Sequence, residues 1–162
     1  MSGIDKALVL ERLKAILHEQ LESATASQRA TQQGVTHEES RPENDKDTRA
    51  IEASYLARGQ AQRVLELSDA LARVNSIALR DVAPGDPAAL GCLVQVEDDD
   101  GALWYVVAPA GGGVRLEVDG VTFTVITPDS PVGRALLGRR VGDDVDIKTP
   151  QGVREGSVVR IL

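Results

Sequence analysis

Two stretches decide the fold: LERLKAILHEQLESATASQRAT (residues 10–31) and AIEASYLARGQAQRVLELSDAL (residues 50–71). In the first, Leu10, Leu13, Leu17, Gln20, Ala24, Ser27 and Thr31 follow at alternating steps of three and four. In the second, Ala50, Ala53, Ala57, Gln60, Val64, Leu67 and Leu71 do the same. Such steps average 3.5 residues, the period at which one helix packs along another. Folding the chain back between them pairs Leu10 with Leu71, Leu13 with Leu67, Leu17 with Val64, Gln20 with Gln60, Ala24 with Ala57, Ser27 with Ala53 and Thr31 with Ala50. Large side chains meet large ones and small ones meet small ones, as an antiparallel coiled-coil hairpin requires. The two glutamines share a layer, where their amides can bond each other and fix register.

The seam is uneven. Leu and Val fill the half near residues 10 and 71, and Ala, Ser and Thr fill the half near 31 and 50. Small residues bury little apolar area, so the far half is slim and weakly held. At ~1.5 Å per residue, Leu10 to Thr31 spans roughly 30 Å. A thin rod with a weak distal core suits insertion into a narrow opening; a plain dimerisation hairpin is the alternative.

Outward from the seams, the chain changes character near residue 80. Residues 1–80 hold one proline and three glycines, against six and twelve in residues 81–162. The first part carries 11 basic and 12 acidic groups, the second 7 and 13. We therefore place a helical hairpin over 1–80, with its tip at about 35–49, and a turn-rich domain over 81–162. Asp81-Val82-Ala83-Pro84-Gly85-Asp86-Pro87 serves as linker.

Composition excludes several functions. A net charge of −7 over 162 residues is wrong for duplex DNA held by phosphate attraction. A single cysteine, Cys92, excludes an internal disulfide and a Cys-rich zinc site. Four aromatic residues (Tyr55, Trp104, Tyr105, Phe123) are too few for a base-stacking platform. No apolar run approaches ~18 residues and no signal-peptide layout opens the chain, so a soluble cytoplasmic protein is expected.

The tip gathers acids: Glu38, Glu39, Glu43, Asp45 and Asp47. Carboxylates are hard ligands for Mg²⁺, which takes one or two from a protein and keeps its waters. The tip could therefore lend carboxylates to a metal held mainly elsewhere. Asp45 and Asp47 also stand where caps and first-turn acids favour a helix start. His37 has no second His nearby. We expect the first helix to end at Gly34 and the second to open at Arg49–Ala50.

The second part reads as a small β-rich domain. Cys92–Val96 and Leu103–Val107 form a hairpin about Asp98-Asp99-Asp100-Gly101. Val114–Val118 and Val121–Ile126 turn tightly at Asp119-Gly120. Ser130 caps a short helix with Pro131 at its first position, and Gly138 stops it after Leu137. Val145–Lys148 and Val153–Ile161 close the sheet. The fold class is α+β. No nucleophile–base pair is visible, and Gly111-Gly112-Gly113 lacks a phosphate-binding lysine.

The run Thr127-Pro128-Asp129-Ser130-Pro131-Val132-Gly133-Arg134-Ala135-Leu136-Leu137-Gly138, continuing through Gly142-Asp143 to Thr149-Pro150-Gln151-Gly152, resembles the C-terminal signature of the GreA/GreB transcription elongation factors. Glu43-Asn44 is similar to the Glu-Asn of that family's tip. The resemblance implies an FKBP-like C-terminal domain that docks on bacterial RNA polymerase, and a hairpin that enters the secondary channel. The tip acids then help hold a second Mg²⁺ at the polymerase's own centre, where backtracked RNA is cut. A second ion activates the attacking water and stabilises developing charge.

Carried over by position, Glu43 matches the tip glutamate, with Glu39 and Asp45 as further candidates, and Glu43 and Asp45 as shared metal ligands. Ser40 stands where the family has its other tip acid, and Pro42 replaces its serine. Asp129, Ser130 and Pro131 match the polymerase-docking loop. Asp45–Ala50 is similar to the tip of DksA-type regulators, which enter the same channel. The implied function is an accessory factor, not an enzyme, that stimulates cleavage of backtracked RNA. The alternatives are a channel-occupying regulator without cleavage activity and a binding module outside transcription. The expected partner is bacterial RNA polymerase, meeting the nascent RNA 3′ end only indirectly. The factor is expected to be a monomer with no cofactor of its own.

Overall fold

The computed structural model describes residues 3–38 and 46–162. Its elements are α1 (Lys6–Glu38), α2 (Lys46–Asn75), β1 (Leu93–Asp98), β2 (Gly101–Val107), β3 (Arg115–Val118), β4 (Val121–Ile126), α3 (Pro131–Leu136), β5 (Asp144–Thr149) and β6 (Gly152–Ile161). The α+β class and the order of elements agree with the sequence reading. The chain forms two compact units, Ile16–Ala70 and the rest, so the division passes through both long helices.

Asp5 starts α1: its Oδ1 accepts from the backbone N–H of Ala7 at 3.0 Å and of Leu8 at 3.4 Å, two donors a helix start leaves unpaired. Both helices run past the expected boundaries, α1 to Glu38 rather than Gly34, and α2 from Lys46 rather than Arg49. One glycine within a helix costs only about 1 kcal/mol relative to Ala, which thirty-odd residues of helix absorb.

Burial follows the seams, with one drift. Leu10, Leu13, Leu17 and Leu67 are buried, and Gln20, Ala24, Ala53, Ala57, Gln60 and Val64 are half-buried. Ser27 and Ala50 are exposed, and Gln28 takes the half-buried place expected of Ser27. A straight helix drifts by about 20° per heptad against a 3.5 repeat. With only Ala, Ser and Thr in the far layers, little apolar area compels the helices to supercoil and correct it. The glutamine layer also differs from expectation. Gln60 Oε1 is buried with no hydrogen-bond partner among the described residues, so it does not accept from the Gln20 amide.

In the larger unit the strands form one sheet, ordered β3-β4-β2-β1-β6-β5. Its neighbours are antiparallel except β2 and β4, which run parallel with Trp104 opposite Phe123 and Val106 opposite Val125. Asp119 and Gly120, both at positive φ (53° and 78°), make the β3–β4 turn. That backbone matches the twist of the strands it joins. On one sheet face Val94, Val96, Tyr105, Val107, Ile126, Val145, Ile147 and Val158 pack with Leu136 of α3 into the core. On the other, Leu93, Trp104, Val106, Leu116, Phe123 and Val125 are buried too. Towards β6 and β5 this second face turns acidic and exposed, with Glu97, Asp144, Asp146 and Glu155.

Candidate functional site: docking loop and hairpin tip

The loop before α3 is built from the hydrogen-bonding capacity of one serine. Ser130 Oγ donates to the Thr127 carbonyl at 2.7 Å and accepts from the Gly133 N–H at 3.0 Å. The Ser130 N–H reaches the same carbonyl at 3.1 Å. Ser130 thus caps α3 with φ −68° and ψ 155°, and Pro131 enters the helix where no N–H is needed. The helix is only one and a half turns long, so these bonds, rather than helix propensity, hold the loop.

Gly133 makes the closure possible. It is buried against the loop, and a Cβ there would overlap the Thr127 carbonyl oxygen, lie 2.8 Å from its carbon and 3.0 Å from Ser130 Oγ. The sequence marks this glycine as part of the signature but gives no reason for it. The reason is close backbone approach, not a left-handed turn.

What the loop offers outward is Asp129 and Pro131, both exposed, with Ser130 half-buried between them. Asp129 makes no hydrogen bond or ion pair with any described residue, so its carboxylate is available to a partner. Asp129 and Pro131 thus flank a serine held by three hydrogen bonds at one corner of the domain.

The same domain is tied down nearby. Ala88 exchanges backbone bonds with Arg139 and Gly138 at 2.7 and 2.9 Å. Arg140 Nη1 donates to the Gly85 carbonyl at 2.7 Å. These bonds fix the segment after α3 against the strand of chain that enters the domain. On the sheet, Arg154 Nη2 holds Asp98 at 2.7 Å and Asp100 at 3.1 Å, pinning the β1–β2 turn. Burial pushes the neighbouring Tyr105 hydroxyl above its ordinary pKa of 10.0; Arg154 opposes that shift and Asp98 adds to it.

The tip acids Glu39, Glu43 and Asp45, with Ser40 and Pro42, lie outside the described residues. Among the described residues no group of three or more His, Cys, Asp or Glu side chains could hold a metal ion. No described helix is long and apolar enough to cross a membrane.

Residues 83–162 match the family model "Transcription elongation factor, GreA/GreB, C-term". The chain is 34% identical over 122 residues to "Transcription inhibitor protein Gfh1" of Thermus thermophilus, covering 73% of each protein. It is 33% identical over 101 residues to "Transcription elongation factor GreA" of Rickettsia canadensis, covering 61% of this chain and 58% of that protein. Among solved structures, that of GreA factor homolog 1 from Thermus thermophilus aligns over 92% of this chain and 94% of its own, with 28% identity and a TM-score of 0.40.

Proposed function

Because the chain belongs to the GreA/GreB transcription elongation factor family, we propose that it binds bacterial RNA polymerase and regulates transcription by placing its hairpin in the secondary channel, without stimulating RNA cleavage. Polymerase binding rests on the corner Asp129-Ser130-Pro131, whose free carboxylate and preset proline need no rearrangement to dock. Channel entry rests on the hairpin: α1 has 33 residues and α2 has 30, about 45–50 Å of helix with small residues in its far layers.

The observation that carries the regulatory reading is Ser40, a neutral hydroxyl where the family has a tip acid, with Pro42 beside Glu43. A relative named as a transcription inhibitor, 34% identical over 73% of each chain, points the same way. Two carboxylates at fixed places would complete a second metal site; a serine cannot supply the charge that Mg²⁺ favours. Cleavage stimulation remains the second reading, favoured by Glu39, Glu43 and Asp45, any pair of which offers hard oxygen donors. In that reading Glu43 and Asp45 would hold Mg²⁺ jointly with the polymerase, and the ion would supply Lewis-acid activation of water. In both readings the factor has no reaction of its own, acts as a single copy in the cytoplasm and meets RNA only at its 3′ end.

Purified elongation complexes, stalled in a backtracked state, separate the two. The expected result is slower nucleotide addition with no increase in RNA cleavage across a Mg²⁺ titration. Cleavage that rises with added factor, and falls again for Glu43→Ala, would establish the second reading instead.

A further inference from the structure

α2 carries a second stripe that its own hairpin does not use. Ile51, Tyr55, Arg58, Gln62 and Leu65 follow at steps of four, three, four and three. That is the spacing by which one helix lies along another. At about 100° per residue they fall on the side of α2 away from Ala53, Ala57, Val64 and Leu67. Ile51 is 56% exposed, Tyr55 68% and Leu65 65%. Arg58 is exposed and makes no ion pair with any described residue. Isolated exposed apolar residues need no explanation, but three in register on one helix face do.

Resting on the polymerase reading above, we propose that this stripe packs along an α-helical element of RNA polymerase that presents an apolar row and an acidic side chain opposite Arg58. The spacing suits a helix, whose own side chains repeat at the same steps. Arg58 is the one charged residue among the five stripe positions, and an acid is the group complementary to it. A second copy of this chain is a poor occupant. Matching Ile51 to Leu65 in an antiparallel pair brings Arg58 against Arg58, and parallel pairing does the same. The exposed apolar area of the stripe is on the order of 300 Å², against the ~800 Å² per partner of a stable complex. A partner that also grips the chain elsewhere does not need the stripe to suffice alone. Tyrosine and arginine are the residue types that most often dominate such contacts.

The test measures binding of the full-length, labelled chain to bacterial RNA polymerase core by fluorescence anisotropy. Ile51→Ser with Tyr55→Ser should weaken binding about tenfold or more, and Arg58→Glu by a similar factor. Glu19→Ala on α1 should leave binding unchanged. Helical circular dichroism reports folding; should the double variant lose helicity, Arg58→Glu, a single change at an exposed site, decides. Wild-type affinity in a folded double variant, or in Arg58→Glu, overturns the proposal. So does a loss confined to complexes carrying extruded RNA, which would make the stripe an RNA contact. Self-association of the wild type abolished in the double variant would assign the stripe to a second copy and overturn it equally. A wild-type chain that does not bind polymerase at all refutes the functional reading itself, a result distinct from these.

Discussion

Gly133→Ala is the sharpest perturbation of the corner Asp129-Ser130-Pro131. The added Cβ would overlap the Thr127 carbonyl, which is backbone, and crowd Ser130 Oγ at 3.0 Å, which two hydrogen bonds hold in place. The loop must move away from α3. That movement breaks or stretches the two bonds to the Thr127 carbonyl (2.7 and 3.1 Å) and the cap bond from the Gly133 N–H (3.0 Å). Each such bond is worth about 1 kcal/mol net, so the loss is about 3 kcal/mol. Alanine returns about 1 kcal/mol through better helix propensity and a stiffer unfolded chain. The net expectation is a destabilisation of about 2 kcal/mol. Urea unfolding followed by the fluorescence of Trp104, the single tryptophan and a resident of β2, measures it in the relevant unit. Because Asp129 and Pro131 are displaced with the loop, polymerase affinity should fall even where the variant is fully folded. A Gly133→Ala protein as stable as the parent, or more so, would refute the close-approach argument.

Gln60→Leu should stabilise the hairpin by about 1–2 kcal/mol, since it removes a buried carbonyl oxygen that bonds no described residue; thermal unfolding followed at 222 nm would show it, and a destabilised variant would mean that the amide has a partner. Asp146 lies directly opposite Glu155 on the exposed part of the sheet. Like charges facing across strands repel, so Asp146→Lys should gain roughly 0.2–1 kcal/mol, with the gain shrinking in high salt. Tyr105 gives a pH signature. Its hydroxyl titrates above 10.0 in the folded protein, so its contribution to stability is intact below the unfolded pKa and is lost as pH rises through the folded one. Tyr105→Phe should therefore lose less stability than the parent between pH 9 and 11. Identical alkaline profiles would show that the group is not shifted.

Several features were legible because they follow from local chemistry. Ser130-Pro131 announces a helix start by supplying a cap acceptor and omitting a donor. Asp119-Gly120 announces a tight turn because both residues tolerate positive φ. The seams were legible where Leu and Val carry them and illegible where Ala, Ser and Thr do. Ser27 and Ala50 face solvent because burying them gains little. The parallel pairing of β2 with β4 was not legible, since turn signals speak only for strands adjacent in sequence. The unpartnered Gln60 oxygen could not be foreseen either. Two glutamines in one layer can bond, but whether the backbones bring the amides into reach is a question of ångströms. At the docking corner, residue identity was readable and rigidity was not, because the need for Gly133 arises only when the Thr127 carbonyl folds back over α3. The stripe of Ile51, Tyr55 and Leu65 is not legible in the seam spacing, which marks only the face that a helix buries within its own hairpin.

On the proposed reading, the hairpin's acidic end reaches the polymerase's reaction centre. A photoactivatable cross-linker installed at residue 43 of the full-length chain, irradiated in complex with bacterial RNA polymerase, tests it most directly. Cross-links are expected to polymerase segments lining the secondary channel and the catalytic metal site, abolished when Asp129→Ala removes the carboxylate of the corner Asp129-Ser130-Pro131. Cross-links confined to the outer surface of the polymerase, or unaffected by the loss of Asp129, would contradict it.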